Sequence, residues 1–581
     1  MKRAALLLVI VPSILLGGVL EWPVSLMIVN GHILTMDADN SVAEALLIEG
    51  QYIVAIGDLD YVQSRAPEDI RVIDLQGSPL MPGFVDAHSH FPSSGLAQAG
   101  LDLAPAVSGS LDSLSDLLLR VSAAASSQPE NQWIVGFNYD DASLLEERHP
   151  TRQELDEAAP NHAVYLWHRS GHMGVANTRA LKALGHLEGD SEPISAASAH
   201  VGRDSQGRLN GLLQEQAAPE LVRLLQELPK RKLIKVLDQA RDEYLKAGIT
   251  TVQNGFADIL SMHVLKWAQR IGVLHQRVVI WPGHAKLGEH LVANLDQKHS
   301  NDSGLALANA IGWTLQDREQ FAVSAVKLIV DGSPQGRTAW LSKPYKKDPA
   351  LTDGYRGLPV IAEDDLVRLV RQYHHAGFQL ALHGNGDAAI DAIIKALDIA
   401  QAEYPRKDAR HFIVHAQTIR HDQLEQLAQL DVGVSFFPAH TLYWGDWYRT
   451  KVLGEERARL ISPLAKADEL GVRYSIHSDA PVTPIDPMQM LWTAINRRTL
   501  SKVELDATLS VSRLRALRAM TIDAAWQNHL DHDRGSLEEG KLADMISLSG
   551  NPLLVDDVRD VEVLKVWIGG RERYRHSLAV R

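Results

Sequence analysis

Eight short apolar runs along the middle of the chain, several followed by helical patterns, restrict the fold more than any other feature. They are Pro82–His88, Thr250–Asn254, Arg277–Trp281, Ser324–Val330, Gln379–His383, Phe412–His415, Gly433–Phe437 and Arg473–His477. Short β-branched and aromatic runs bounded by turn residues read as strands. The stretches between them carry the 3.6-residue period of helices. One places Leu233, Val236, Leu237, Ala240 and Tyr244 on a face and stops at Gly248. A second does so with Leu366, Leu369, Val370 and Tyr373 and stops at Gly377. A third uses Ile390, Ile393, Ile394 and Leu397, with Asp387 placed to cap its start. Such a stripe packs on a sheet, and eight strand–helix units predict an α/β protein built on a (β/α)8 TIM barrel.

The two ends read differently. Leu26–Thr35, Ala45–Ile56 and Arg71–Leu75 are strand-like, with turn signals at Asn30-Gly31, Glu49-Gly50 and Ile56-Gly57. Asp544–Leu548 and Val561–Ile568 are strand-like near the other end. Neither piece has enough strands to stand alone, so the ends are expected to pair into one small β domain. About 160 residues separate the first barrel strand from the second, with further strand-like runs at Trp133–Phe137 and Val164–Trp167. A structureless loop of that length is improbable. The expectation is therefore 22–81 and 529–581 for the β domain and 82–528 for the barrel, with an insertion at about 100–245 after the first strand.

With 581 residues and 45% hydrophobic content, more than one structural unit is expected. The net charge of −14 argues against binding a phosphate backbone, which needs a basic face. Cysteine is absent, so any metal must be held by histidine or oxygen ligands. Lys2 and Arg3 precede an apolar run, Ala4–Leu20, and residues 1–21 read as an export signal or N-terminal anchor. A periplasmic or extracellular location, with or without a membrane tether, follows from that reading.

In a barrel of this type the active site lies at the C-terminal strand ends. Candidate ligands fall at or beside those ends: His88 and His90 at the end of the first strand, Lys327 in the fourth, His383 and His415 in the fifth and sixth, and Asp479 just after the eighth. Side chains two apart on a strand share a face, so His88 and His90 are suited to one cation and His383 and His415 to a second. Asp479 is placed to bind the first and to accept a proton. Lys327 lies in an apolar strand, where a charged ammonium is costly. A buried amine is nucleophilic, and its carbamate, formed with carbon dioxide, has two oxygens that can bridge two cations. Singly, each residue has an ordinary role as a core histidine, a snorkelling lysine or a helix cap. Six such residues at the right strands make coincidence a poor account.

The set His88, His90, Lys327, His383, His415 and Asp479 resembles the binuclear subtype of the amidohydrolase superfamily. The segments MPGFVDAHSHF, SGHMGVANTRAL, VKLIVDGSPQGRTA, LHGNGDAAID, VHAQ, HSDAPVTPIDP and GSLEEGKLAD resemble more narrowly its YtcJ-like branch (amidohydrolase family 3), which includes N-substituted formamide deformylases. The resemblance implies a terminal β-sandwich, a carboxylated Lys327 and hydrolysis of a non-peptide carbon–nitrogen bond. Two divalent ions, zinc by default, would activate a bridging hydroxide toward an amide-type carbonyl, with Asp479 as general base and acid. The alternatives are a mononuclear deaminase or cyclic-amide hydrolase of the same superfamily, or a barrel that binds ligands without catalysis. A small-molecule amide is the partner expected; a homo-oligomer is compatible with the sequence.

Other candidates are open to two readings. His172 either contacts substrate or caps the next helix. Asp331 and Arg337, after the fourth strand, bind substrate or brace the loop, with bracing favoured for Asp331. Trp444, in an aromatic run with Tyr443, Trp447 and Tyr448, lines a pocket or packs the loop. His477 shares a face with Asp479 and is a candidate partner behind the ligands.

Overall fold

The computed structural model describes residues 25–106, 109–187, 201–219, 224, 230–287, 320–348 and 351–579. The expected export segment, 1–21, lies outside them. Among the described residues no helix is long and apolar enough to cross a membrane.

Two parallel sheets carry the predicted runs in sequence order. The first pairs Phe84–Val85, Ile249–Ala257, Arg277–Pro282 and Phe321–Val323. The second pairs Ala325–Ile329, Gln379–Gly384, Phe412–His415, Gly433–Phe436 and Tyr474–Ile476. The fourth run lies in the second sheet only; Phe321–Val323, just before it, is an additional strand that ends the first sheet, with Ser324 between the two. A parallel bridge from Gly283 to Lys327 crosses this seam. At the other margin the segments after the eighth and first runs are joined by backbone bonds from Asp479 N to His88 O (3.1 Å) and from His90 N to Ala480 O (2.8 Å).

The three predicted helices are present as Lys230–Lys246, Glu363–His375 and Asp387–Glu403. Leu366, Val370 and Tyr373 are buried on one face of the second. Each such burial stabilises by roughly 1.5–3 kcal/mol. Asp387 is not the cap expected of it. Gly386 occupies that position, and Asp387 instead accepts hydrogen bonds from the backbone N–H and the hydroxyl of Ser342.

The ends do pair with one another. Met545–Leu548 runs antiparallel to Pro79–Pro82 in a six-stranded sheet that also contains His32–Leu34, Val42–Ala43, Val563–Ile568 and Arg571–Arg575. A second sheet is formed by Ser25–Val29, Ala45–Glu49, Tyr52–Gly57 and Arg71–Asp74. The two share a core of Leu26, Ile28, Leu46, Leu80, Met545 and Trp567. The runs Leu26–Thr35 and Ala45–Ile56 are each broken in two, at Asn30 (φ 54°) and Gly50 (φ 64°), left-handed positions that no strand continues through. Within the expected insertion, Trp133–Tyr139 and Ala163–His168 belong to a six-stranded sheet with Leu101–Asp102, Met173–Ala176, Val201–Arg203 and Leu209–Gln214.

Candidate metal centre

Lys327 is 2% exposed, in mid-strand, and its Nζ lies 3.1 Å from His88 Nε2. Asp479 Oδ1 is 3.5 Å from His88 Nε2 and 3.2 Å from His90 Nε2, while its Oδ2 is 4.0 Å from His415 Nδ1. The rings of His383 and His415 stand 4.6 Å apart. All six predicted residues thus surround one centre. Ligand-type atoms of His88, His415 and Asp479 lie within 4.8 Å of one another.

The route by which they meet differs from the expected one. The first strand ends at Val85, so His88 and His90 sit in the loop beyond it rather than alternating along a strand. Their rings come within 5.2 Å because backbone bonds tie that loop to the Asp479 segment. His415 is a second case. His383 pairs in register with Val414, so an extended His415 would face the other way. Its left-handed backbone (φ 75°) turns it to the shared centre, and Asp479 is likewise left-handed (φ 54°). Such conformations cost of order 1–3 kcal/mol and persist where surrounding structure imposes them.

The neighbouring groups fix the imidazoles. His88 Nδ1 is 3.1 Å from Gln253 Oε1, an atom that only accepts, so Nδ1 carries the proton and Nε2 keeps its lone pair. The His88 ring stacks on buried Trp281 at 5.1 Å. Asn385 Nδ2 donates toward His383 Nε2 (3.3 Å), and Asp331 Oδ1 lies 3.3 Å from His383 Nδ1. His477 contacts His415 Nδ1 (3.0 Å) through Nε2 and Ser435 Oγ (2.9 Å) through Nδ1, so it stands behind His415.

Burial, reinforced by nearby positive charge, pushes His88, His383 and His415 well below the ordinary imidazole range, so all three are neutral. Burial brings the Lys327 ammonium down to about 7, against the upward pull of Asp479. Asp479 Oδ1 is buried without a hydrogen bond. Neutral imidazoles, an unsatisfied carboxylate oxygen and a readily deprotonated amine are a donor set suited to divalent cations.

The remaining candidates separate. Asp331 accepts backbone hydrogen bonds from Trp340 (3.0 Å), Asn385 (2.9 Å) and Gly386 (2.7 Å), which braces the fourth and fifth loops. Arg337 pairs with Asp348 at 3.0 Å and lies over the Trp447 ring. Trp444 is fully buried, its indole N–H donating to Asp140 Oδ2 (3.0 Å). Both residues pack the loops around the centre through these contacts. His172 is not a helix cap: Asn177 caps Thr178–Leu184, and the His172 ring lies 5.2 Å from that of His383. Gln253, Trp281 and Asn385 were not singled out from the sequence. Asn385 sits in the HGNGD segment and had a positional signal, whereas Gln253 and Trp281 look like ordinary strand residues.

Parallel strands that deliver neutral imidazoles, a carboxylate and a buried lysine to one centre have the constitution of a metal-dependent hydrolase. The model of the amidohydrolase family matches residues 71–574, and the chain belongs to that family and is a hydrolase of the carbon–nitrogen class. An N-substituted formamide deformylase of Arthrobacter pascens is 27% identical over 95% of this chain and 98% of its own length. A putative amidohydrolase, YtcJ, of Bacillus subtilis is 24% identical over 94% and 99%. Among solved structures, an uncharacterized metal-dependent hydrolase from Pyrococcus horikoshii superposes with a TM-score of 0.69 at 25% identity, covering 92% of this chain and 99% of that one.

Proposed function

We propose that the protein is a binuclear amidohydrolase that cleaves a small-molecule amide-type bond. The two parallel sheets are read as one closed (β/α)8 barrel over residues 82–528, with the terminal sheets as its β-sandwich and about 100–245 as an insertion. His88, His90 and Asp479 would hold one cation, His383 and His415 the other, and carboxylated Lys327 would bridge them. The observation that carries the reading is the position of the Lys327 amine, buried and 3.1 Å from His88 Nε2.

Two such cations supply Lewis acidity toward a carbonyl oxygen and acidify water. The chain's residues do the rest. Lys327, whose ammonium titrates near 7, is available as the free amine. Its nitrogen bonds to the carbon of carbon dioxide and releases one proton, leaving an anionic carbamate. Gln253 keeps the His88 proton on Nδ1 so that Nε2 faces the centre. The Asp479 carboxylate takes a proton from the attacking water and returns it to the leaving nitrogen. Trp281 walls the His88 and Lys327 side chains from solvent.

The test joins metal analysis to a turnover screen of N-formyl amines, N-acyl amino acids, cyclic amides and aryl amides. Two ions per chain with amide turnover is the expected result. One ion would favour a mononuclear deaminase or cyclic-amide hydrolase, and none, without turnover, a binding protein.

A further inference from the structure

The insertion places one residue pair against the centre that the proposed reaction leaves unused. His172 Nδ1 lies 3.0 Å from Glu215 Oε2, and Glu215 N donates to His172 O at 2.7 Å. Side chain and backbone therefore lock the two residues together across 43 positions of sequence. Glu215 opens the short turn Glu215–Ala217, directly after the strand Leu209–Gln214. Its side chain is 7% exposed and abuts Gly332 and Thr338 of the loop after the fourth strand; any side chain at 332 would collide with it. The His172 side chain is more open, at 16%, and its ring stands 5.2 Å from that of His383. With Nδ1 held by the carboxylate, Nε2 is the nitrogen left for a ligand.

We propose that His172 hydrogen-bonds the reacting amide group of the substrate through Nε2, and that Glu215 is its positioning residue. The proposal rests on the amidohydrolase reading of the adjacent centre. A carboxylate that fixes an imidazole nitrogen sets both the tilt of the ring and the nitrogen it presents. Here that function comes from the insertion rather than from the barrel strands. The class of ligand is a small amide or its unreactive isostere, a urea.

The test uses the full-length metal-loaded protein with four variants: His172→Gln, His172→Asn, His172→Ala and Glu215→Gln. Turnover of an N-alkyl formamide is measured beside calorimetric binding of the matching N-alkyl urea, with metal content and unfolding midpoint as controls. A glutamine amide reaches about where Nε2 lies, and an asparagine amide only as far as Nδ1. His172→Gln should therefore keep most of the urea affinity and kcat/KM, while His172→Asn and His172→Ala lose about tenfold or more, as for one lost buried hydrogen bond. Glu215→Gln should lose several-fold in kcat at wild-type metal content. Equal urea affinity and equal kcat/KM in all four variants would overturn the proposal, as would a wild type that does not bind the urea. A wild type that binds the urea, loses it on His172→Ala, and turns over no amide would leave the pair standing and sink the amidohydrolase reading instead.

Discussion

Gly255 offers the sharpest test of how the His88 ring is held. A Cβ at this position would lie 2.2 Å from His88 Nδ1 and from His88 Cε1. Bringing that contact out to 3.4 Å, the ordinary limit, requires about 1.2 Å of ring movement. Trp281, stacked on the ring at 5.1 Å, restricts how it can move away. The movement has to break the 3.1 Å contact with Gln253 Oε1 and carry Nε2 away from Lys327 and Asp479. Losing a group that orients a metal ligand costs roughly 10–100-fold in metal affinity, and a misplacement near 1 Å costs about 100-fold in rate. Gly255→Ala should thus lower kcat/KM about 100-fold and weaken metal retention against a chelator by 10-fold or more. The backbone at 255 is not left-handed, so alanine adds no backbone strain there, and the overpacking cost is about 1–3 kcal/mol. Chelator competition and steady-state kinetics on the purified variant read both effects. A Gly255→Ala enzyme with wild-type metal retention and turnover would refute the placement of His88 against Gln253 and Trp281.

Three further expectations rest on separate contacts. Asp479→Asn should lower turnover by about 10²–10⁴-fold while metal analysis finds most of the metal still bound; near-normal turnover would remove Asp479 from the proton path. Arg277 is buried and bidentate on Asp544 (2.5 and 3.0 Å), joining the third strand to the terminal sheet, so Arg277→Ala should cost about 3–5 kcal/mol in urea unfolding, and an unchanged midpoint would contradict it. Leu380 N donates to His411 Nδ1 (3.0 Å), His411 Nε2 donates to His374 Nδ1 (2.8 Å), and His374 Nε2 donates to Tyr404 O (2.7 Å), a chain that requires both rings neutral. Burial holds His374 below the ordinary range and His411 well below it. Their contribution to stability is therefore whole above the unfolded value of about 6.5 and is lost as pH falls below it. Replacing His411 by glutamine should flatten the fall in urea midpoint between pH 7 and pH 5, and an unaltered slope would rule the pair out as its source.

The ligand-bearing runs were legible because residue type and strand position coincide in them: Lys327 inside an apolar strand, His383 and His415 at strand ends. What could not be read was the division of a single apolar run between two sheets. In PLMPGFV, Pro82 pairs with Met545 of the terminal sheet while Phe84 pairs with Ile249 of the parallel one. Local hydrophobicity is the same on both sides of Gly83, so periodicity gives no boundary. Phe321–Val323, one residue before the fourth run's strand, was missed because three residues show no period. The strands Met173–Ala176 and Val201–Arg203 escaped notice because three or four residues are too few to show a period. Glu215 had no signal at all, since its meaning comes from a partner 43 positions away.

Crystals grown with zinc, and measured at the zinc edge, test the central claim most directly. The account predicts two anomalous peaks among His88, His90, His383, His415 and Asp479, with density for a carboxylated Lys327 between them. A single peak, or two peaks with an unmodified Lys327 amine turned away from both, would contradict it.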